Sequence, residues 1–407
     1  MTAIARPRTR HLRPRGPGVE QPITTVELFF DLVYVFAVTQ LSHLILDDLT
    51  VAGIARAAFL LLIVWWAWIY TTWMANWFDP ASPAVRTVLT GVMLASLLMA
   101  AALPGAFGED GLLFASAYVT LQVGRNVAVV SLLRHEPALR DIFLRLAAWS
   151  AASGVLWLAG AALTGDQRLK LWIGAVILDL WAPVAGYWMP RRGRVPTTDY
   201  DVEGGHFADR CHAFIIIALG ESIVVTGATA AAAGLSATVV LCLGVAFVET
   251  AALWWLYFGA VAERSRLLMR SSEDPGRLAR DAFTYLHAPI VAGIIAVAAG
   301  DDLLIAGPGR ALHGVGLAMM LGGPALFLLG ESLFRLRMTG AANAKRLTVA
   351  AVLVLLAPVG SQVSALALSA TVAGLLSALA LWELRAPAHH ALLGELRKLQ
   401  HQPEVTR

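Results

Sequence analysis

Two acidic residues one helical turn apart, Glu27 and Asp31, sit in an otherwise apolar run, TVELFFDLVYVFAVTQLSH, from Thr25 to His43. A carboxylate near the middle of a bilayer costs about 2.5–3.5 kcal/mol on insertion scales, so acids in such a run face a protein interior, a wet cavity or a partner. Helical geometry sets residues i and i+4 about 40° apart around the axis. Glu27, Asp31, Tyr34, Val38 and Ser42 therefore share one stripe, while Gln40 points nearly opposite, which predicts protein on two sides of the helix. Two carboxylates about 6 Å apart along the axis require a proton, a cationic partner or a bound cation. Glu27 is also explained as an ordinary first-turn acid favoured by the helix dipole. Asp31, one turn deeper, has no such explanation.

A second polar set lies in HFADRCHAFIIIALGESIVVTG, residues 206–227. His206, Arg210, Ala213, Ile217 and Glu221 form a stripe, with Asp209 and His212 beside it. Asp209 is expected to pair with Arg210, and His206 and His212 read first as interfacial residues. Glu221 lies too deep to snorkel, and its neighbours Gly220 and Ser222 suggest close helix packing around a polar group aimed at a cavity. Further intramembrane polar residues are Gln122, Arg125, Asp179, Glu249, His287 and Glu331. Arg125 is expected to take its counter-ion from an acid of one of the two polar helices. Asp31, Glu221, Glu27, Gln40, Ser222, Arg125, His206 and His287 form the candidate substrate- or proton-binding set, with no catalytic residue, metal site or cofactor assigned.

The elements that must position these residues are membrane helices. Of 407 residues, 58% are apolar and 14% charged, and mean hydropathy is +0.67. The fold class is all-α, a polytopic membrane helical bundle, since a span needs roughly 20 residues to cross about 30 Å of hydrocarbon. Apolar runs broken by charged or Pro/Gly clusters give about twelve spans, starting near residues 25, 52, 85, 111, 141, 168, 207, 235, 282, 311, 347 and 363. The hairpin 347–384, interrupted at Pro358–Ser361, is the region most open to miscounting.

Arginine distribution tests the count, because short cationic loops stay cytoplasmic. With twelve spans one set of loops carries Arg6, Arg8, Arg10, Arg13 and Arg15, then Arg191, Arg192 and Arg194, then Arg264, Arg266, Arg270, Arg277 and Arg280, then Arg335, Arg337, Lys345 and Arg346. The opposite set keeps Arg56, Arg168, Lys170 and Arg310 and carries Asp47–Asp48, Glu109–Asp110 and Asp301–Asp302. Both termini are thus expected in the cytoplasm, with the chain in the plasma membrane. The net charge of +3 follows from topology and implies no nucleic-acid partner. Cys211 and Cys242 both fall within spans and imply no disulfide framework.

The predicted organisation is a disordered basic tail over 1–22, a first six-helix half over 23–190, a linker over 191–205, a second half over 206–385 and a tail over 386–407. Each half opens with a polar-studded helix, and the next span of each ends in a Trp pair with a nearby Tyr: Trp65, Trp66 and Tyr70, then Trp254, Trp255 and Tyr257. This predicts a duplicated unit of six helices. The tetrapeptide Leu-Gly-Glu-Ser also occurs twice, at 219–222 and 329–332, in helices expected to run in opposite directions. The loop DYDVEG imitates the opening of a calcium-binding EF-hand, but Arg210 falls where a bidentate Glu is required. No Walker A, H-E-x-x-H or G-x-S-x-G sequence is present.

On VELFFDLVYVFAVTQLSHLI and DVEGGHFADRCHAFIIIALGESIVV the chain resembles the bacterial low temperature requirement A family of multi-pass membrane proteins. FASAYVTLQ, WWLYF at 254–258 and HAPIVAGIIAVAAG from His287 to Gly300 support the resemblance over nearly the whole chain. Carried over by position, Glu27, Asp31, Gln40, His206, Glu221 and Ser222 fit the family pattern, while Cys211 and His212 blur the register after Asp209–Arg210. The resemblance implies topology and names no substrate. The expected function is a permease or transporter, open to proton coupling, with Asp31 and Glu221 lining a pathway between two halves and an unidentified small molecule or ion as ligand. The alternatives are a membrane-embedded enzyme acting on a lipid or hydrophobic substrate, and a non-catalytic sensor or assembly protein. Besides the lipid bilayer and that ligand, further copies of the chain are conceivable partners.

Overall fold

Thr24 opens the first helix. Its hydroxyl accepts the Glu27 N–H while the Glu27 carboxylate accepts the Thr24 N–H, a reciprocal capping box that satisfies two donors the helix start leaves open. In the computed structural model, which describes residues 11–16, 19, 21–259 and 261–385, every extended element is helical. The first six are α1 (Thr25–Asp47), α2 (Val51–Trp77), α3 (Pro83–Ala101), α4 (Gly111–Leu132), α5 (Pro137–Ala161) and α6 (Gly165–Val184). Seven more follow: α7 (Gly204–Ala233), α8 (Ala237–Phe258), α9 (Val261–Ser271), α10 (Pro275–Ala306), α11 (Gly314–Thr339), α12 (Ala344–Leu355) and α13 (Ala365–Leu384).

Among the described residues, ten helices are long and apolar enough to cross a membrane. Two of the twelve expected spans fall short of that standard. Helix α6 carries Asp166, Arg168 and Lys170 in its first turns, and α12 ends after 12 residues, with a separate turn Ala357–Gly360 around Pro358. Proline removes an N–H and disfavours the helical conformation of the residue before it, so a break is expected there. The hydrogen bonds around α12 nonetheless fix its direction. Ala365 N donates to Arg310 O at 2.8 Å, which places the start of α13 beside the segment leading into α11. Asn343 and Arg346, at the start of α12, donate to Glu383 near the end of α13. The broken segment therefore returns the chain from one end of these helices to the other.

The chain divides into two compact units, residues 1–221 with 266–288, and residues 222–265 with 289–407. The loop 191–205, expected as a divider, belongs to the first unit. Its single 3-10 turn, Thr197–Tyr200, is held by Trp77, whose indole N–H donates to Tyr200 O at 2.7 Å.

Residues 11–16 depart from the expected disordered tail; the remaining tail residues 1–10 and 386–407 lie outside the described ones. Leu12 forms an antiparallel bridge with Phe78, Arg13 N donates to Trp77 O at 2.9 Å, and Asp79 N donates to His11 O at 2.9 Å. Arg13 Nε donates to Ala75 O, and Arg15 Nη2 to Asn76 O. The physical reason is the end of α2: the last carbonyls of a helix lack intrahelical donors, and these two arginines supply them. Arginines read as topology determinants are thus also the C-terminal cap of a buried helix.

Candidate functional site

Helix α1 is sided. Glu27, Asp31, Tyr34, Val38 and Ser42 are all buried, whereas Leu28, Phe29, Leu32 and Phe36 are exposed on the opposite face. Gln40 is half-exposed and joins no cluster, so the expectation of protein on two sides of this helix fails at that residue.

The buried stripe meets α7 in two rungs. His206 Nε2 lies 2.8 Å from Glu27 Oε1. One turn on, Arg210 clamps Asp31 with both terminal nitrogens, at 2.5 and 2.8 Å, and Nη1 also donates to Glu27 O at 3.2 Å. Arg210 therefore pairs with Asp31, and the expected partner Asp209 instead meets Arg266, with 3.1 Å between Nε and Oδ1. The rungs climb in the same order, so α1 and α7 run parallel.

Most groups in this cluster have several partners, the buried Arg210 Nε excepted, which makes no hydrogen bond. Asp31 Oδ1 also accepts the Trp68 indole N–H at 2.9 Å, and the Arg210 guanidinium stands over the rings of Trp68 and Phe30 at 5.5 and 5.9 Å. Glu27 Oε2 accepts from Arg13 at 2.8 Å and from the Thr24 hydroxyl and N–H at 2.9 Å each. Glu27 is thus both a first-turn cap and the centre of an ion network.

The imidazole tautomer follows from Asn76. Its Oδ1 accepts from Glu203 N at 2.9 Å and Arg15 Nη2 at 3.2 Å, so its amide N–H groups point to Glu203 O and to His206 Nδ1. His206 Nδ1 accepts, hence Nε2 carries the hydrogen and donates to Glu27. The sum is two cations, two anions and one neutral imidazole. Zero net charge is what makes buried charges tolerable, provided each also keeps its hydrogen bonds.

Deeper along α1 and α7 the pattern changes. Thr39 Oγ1 donates to Glu221 Oε2 at 2.7 Å, but Glu221 Oε1 is buried without a partner. His43 lies within electrostatic reach of this carboxylate. The hydroxyls of Ser42 and Ser222 are likewise fully buried and unpartnered. Among the described residues no arginine pairs with Glu221.

Arg125 overturns another expectation. Neither α1 nor α7 supplies its counter-ion: among the described residues Arg125 pairs with neutral side chains and with no acid of either helix. It follows a π-helical turn, Thr120–Gly124, a distortion that frequently marks functional sites. Nη1 donates to Thr71 Oγ1 at 2.9 Å and Nη2 to Gln122 Oε1 at 2.6 Å, with the guanidinium 5.7 Å from the centre of the Tyr70 ring. Gln122 donates on to the Tyr118 hydroxyl, which donates to Asp179 at 2.9 Å. The negative charge wired to Arg125 is therefore Asp179, through two neutral side chains. His287 is separate again: it is buried between Trp65 and Phe283, ring planes within 6° and 18° of its own, with Nδ1 at 3.2 Å from Ala282 O.

A cavity of about 30 Å³ opens beside Trp73, Trp77, Tyr70, Tyr187, Tyr200 and Arg280, with room for roughly two water molecules. The Tyr200 hydroxyl lines it without a hydrogen-bond partner, and burial pushes that hydroxyl up to about 12.

Sequence reasoning missed Arg13, Trp68, Asn76 and the role of Arg210. Asn76 carried a signal: a lone amide at the end of a Trp-rich helix, after Thr71 and Thr72, marks polar work at that end. Arg13 carried none, since its count in the topology argument already explained it.

An uncharacterized protein of Rhizobium meliloti (strain 1021) is 39% identical over 285 residues, 69% of each chain. No solved structure matches. The family described as bacterial low temperature requirement A protein (LtrA) matches residues 22–381, which contain Glu27, Asp31, Arg210, Glu221 and Arg125, and the chain belongs to that family.

Proposed function

We propose that this protein is a permease of the bacterial plasma membrane with twelve crossings, both termini in the cytoplasm, and a pathway for a small molecule or ion alongside α1 and α7. The observation that carries the reading is the contrast between two kinds of acid on one helix pair. Glu27 and Asp31 are neutralised by Arg13 and Arg210 next to the arginine-rich end, an arrangement suited to closing that end. Glu221, further in, keeps one oxygen free and pairs with no lysine or arginine among the described residues, an arrangement suited to taking up a proton or ligand and releasing it. In this reading Glu221 is the exchanging group, Ser222 and Thr39 its polar surroundings, and the Arg210–Asp31 clamp the gate.

The test is a deletion strain complemented with wild type, Glu221→Gln or Asp31→Asn at matched membrane levels. Metabolites in cells and medium, and membrane lipids, are compared. The permease reading expects Glu221→Gln to reproduce the deletion's altered uptake or efflux with lipids unchanged. Unchanged fluxes in both variants sink it, and a changed lipid profile without changed flux favours lipid chemistry.

A further inference from the structure

The second unit holds its acids in two ways. Glu331 and Glu383 share Arg346, which donates from Nε and Nη2 to the two Glu383 oxygens at 2.8 and 2.7 Å and touches Glu331 through Nη1. Glu249, midway along α8, and Asp301, near the end of α10, have no such partner. Each is 2% exposed, and no ion pair to lysine, arginine or histidine is formed by either among the described residues. They lie within electrostatic reach of one another. Asp302 follows in the chain and is engaged by the Thr229 hydroxyl. Ser369 of α13, fully buried, stands against Glu249, and neither its hydroxyl nor Asp301 Oδ2 has a hydrogen-bond partner.

Two ionised carboxylates cannot share such a site. Moving one such ion out of water costs several kcal/mol even after relaxation, and a second like charge adds repulsion. The polar groups placed against them among the described residues include Asp302, Thr229 and Ser369, none of which is a cation. A sodium or calcium ion needs about six oxygen ligands or more, and no group of three or more acidic, His or Cys side chains among the described residues is arranged to hold a metal ion. A proton needs only two oxygens. We propose that Glu249 and Asp301 form an acid pair that holds one exchangeable proton, a proton-binding site separate from the Glu27–Asp31–Glu221 set. The hydroxyl of Ser369 supplies a third oxygen through which the proton is passed or steadied. Asp301 lies one to two turns from the end of α10, on the side opposite the arginine-rich loops, and Glu249 lies about three turns into α8 from that side. Asp302, Asp301 and Glu249 thus form a graded inlet from that side.

The experiment uses the full-length protein in lipid nanodiscs, with dicyclohexylcarbodiimide as probe, since this reagent modifies protonated carboxyls in apolar surroundings. Labelled peptides are mapped by mass spectrometry, with and without sodium chloride. One adduct per chain is expected on this pair in wild type, one on the remaining acid in Glu249→Gln and in Asp301→Asn, and none in the double variant. Infrared difference spectra of the same samples are independent of reagent access. The protonated-carboxyl band assigned to the pair must persist in each single variant and vanish in the double. Absence of that band in wild type, or labelling that sodium ions prevent, overturns the proposal. No transport is measured, so failure here leaves the Glu221 reading untouched, and failure of that reading leaves this one.

Discussion

Replacing Arg210 with Gln removes the cation from the most enclosed ion pair of the first unit. Asp31 then keeps a single donor, the Trp68 indole, in place of three. Glu27 O loses a donor, and the rings of Phe30 and Trp68 lose the guanidinium between them. Removing one partner of a buried pair costs about 3–5 kcal/mol, because the remaining charge stays buried and uncompensated. At about 1.4 kcal/mol per tenfold, that is two to four orders of magnitude in the folding equilibrium. The double variant Asp31→Asn with Arg210→Gln leaves two neutral amides within hydrogen-bonding reach, so about 2–3 kcal/mol of the loss is expected to return as coupling. The assay is unfolding by graded addition of sodium dodecyl sulfate to protein in mixed micelles, followed by tryptophan fluorescence, since Trp68 reports on the pair directly. A single-variant cost below about 1 kcal/mol, or a double variant as damaged as the sum of the singles, would show that the clamp is solvated or dispensable and refute the reasoning.

Arg13→Ala removes the charge from Glu27 Oε2 and donors from Ala75 O and Phe78 O. The same unfolding assay should show a loss of about 2–3 kcal/mol, partly recovered by adding Glu27→Gln. Tyr200→Phe deletes a buried hydroxyl that has no partner, so stability should rise by up to about 1 kcal/mol at neutral pH. The Tyr200 hydroxyl is held near 12 against an ordinary value of 10. Its proton is therefore bound more tightly in the folded state: its stabilisation is complete below pH 10 and lost as pH rises through 12. Wild type should lose stability across that window more steeply than Tyr200→Phe, and parallel curves would contradict the assignment. Gly293→Ala would place a methyl 2.5 Å from Phe327 N and 2.8 Å from its Cα, backbone that cannot step aside. A loss of about 1–3 kcal/mol is expected, and a silent substitution would mean α10 and α11 are not packed this closely.

What the sequence could reveal depended on how far apart the deciding residues lie along the chain. The stripe of α1 was legible because period 3.6 is a local property, and the five residues it selected are all buried. The starts of the helical segments were legible for the same reason. The partner of Asp31 was not, since Arg210 reaches it only after five intervening helices have set α7 alongside α1, while Asp209 stood next to Arg210 in the chain. Arg125 failed similarly: Asp179 meets it through Gln122 and Tyr118, and a relay of neutral groups leaves no charge pattern to read. The packing of residues 11–16 was hidden because one feature, positive charge, already had a sufficient cause in topology. Capping of the α2 carbonyls by the same arginines depends on where Ala75 and Phe78 end up.

The Arg210–Asp31 clamp also sets an order of events during synthesis. The two residues are 179 positions apart, so at about 5–20 residues per second roughly 10–35 s pass between their emergence from the ribosome. Arg13 is only 14 positions from Glu27 and can neutralise it as soon as α1 leaves the exit tunnel. Asp31 has no cation during that interval. The nascent first helix must therefore enter the membrane with Asp31 protonated, or wait beside the insertion machinery until α7 arrives. Cells in which that machinery is slowed or depleted should lose this protein earlier than membrane proteins whose first helix carries no acid.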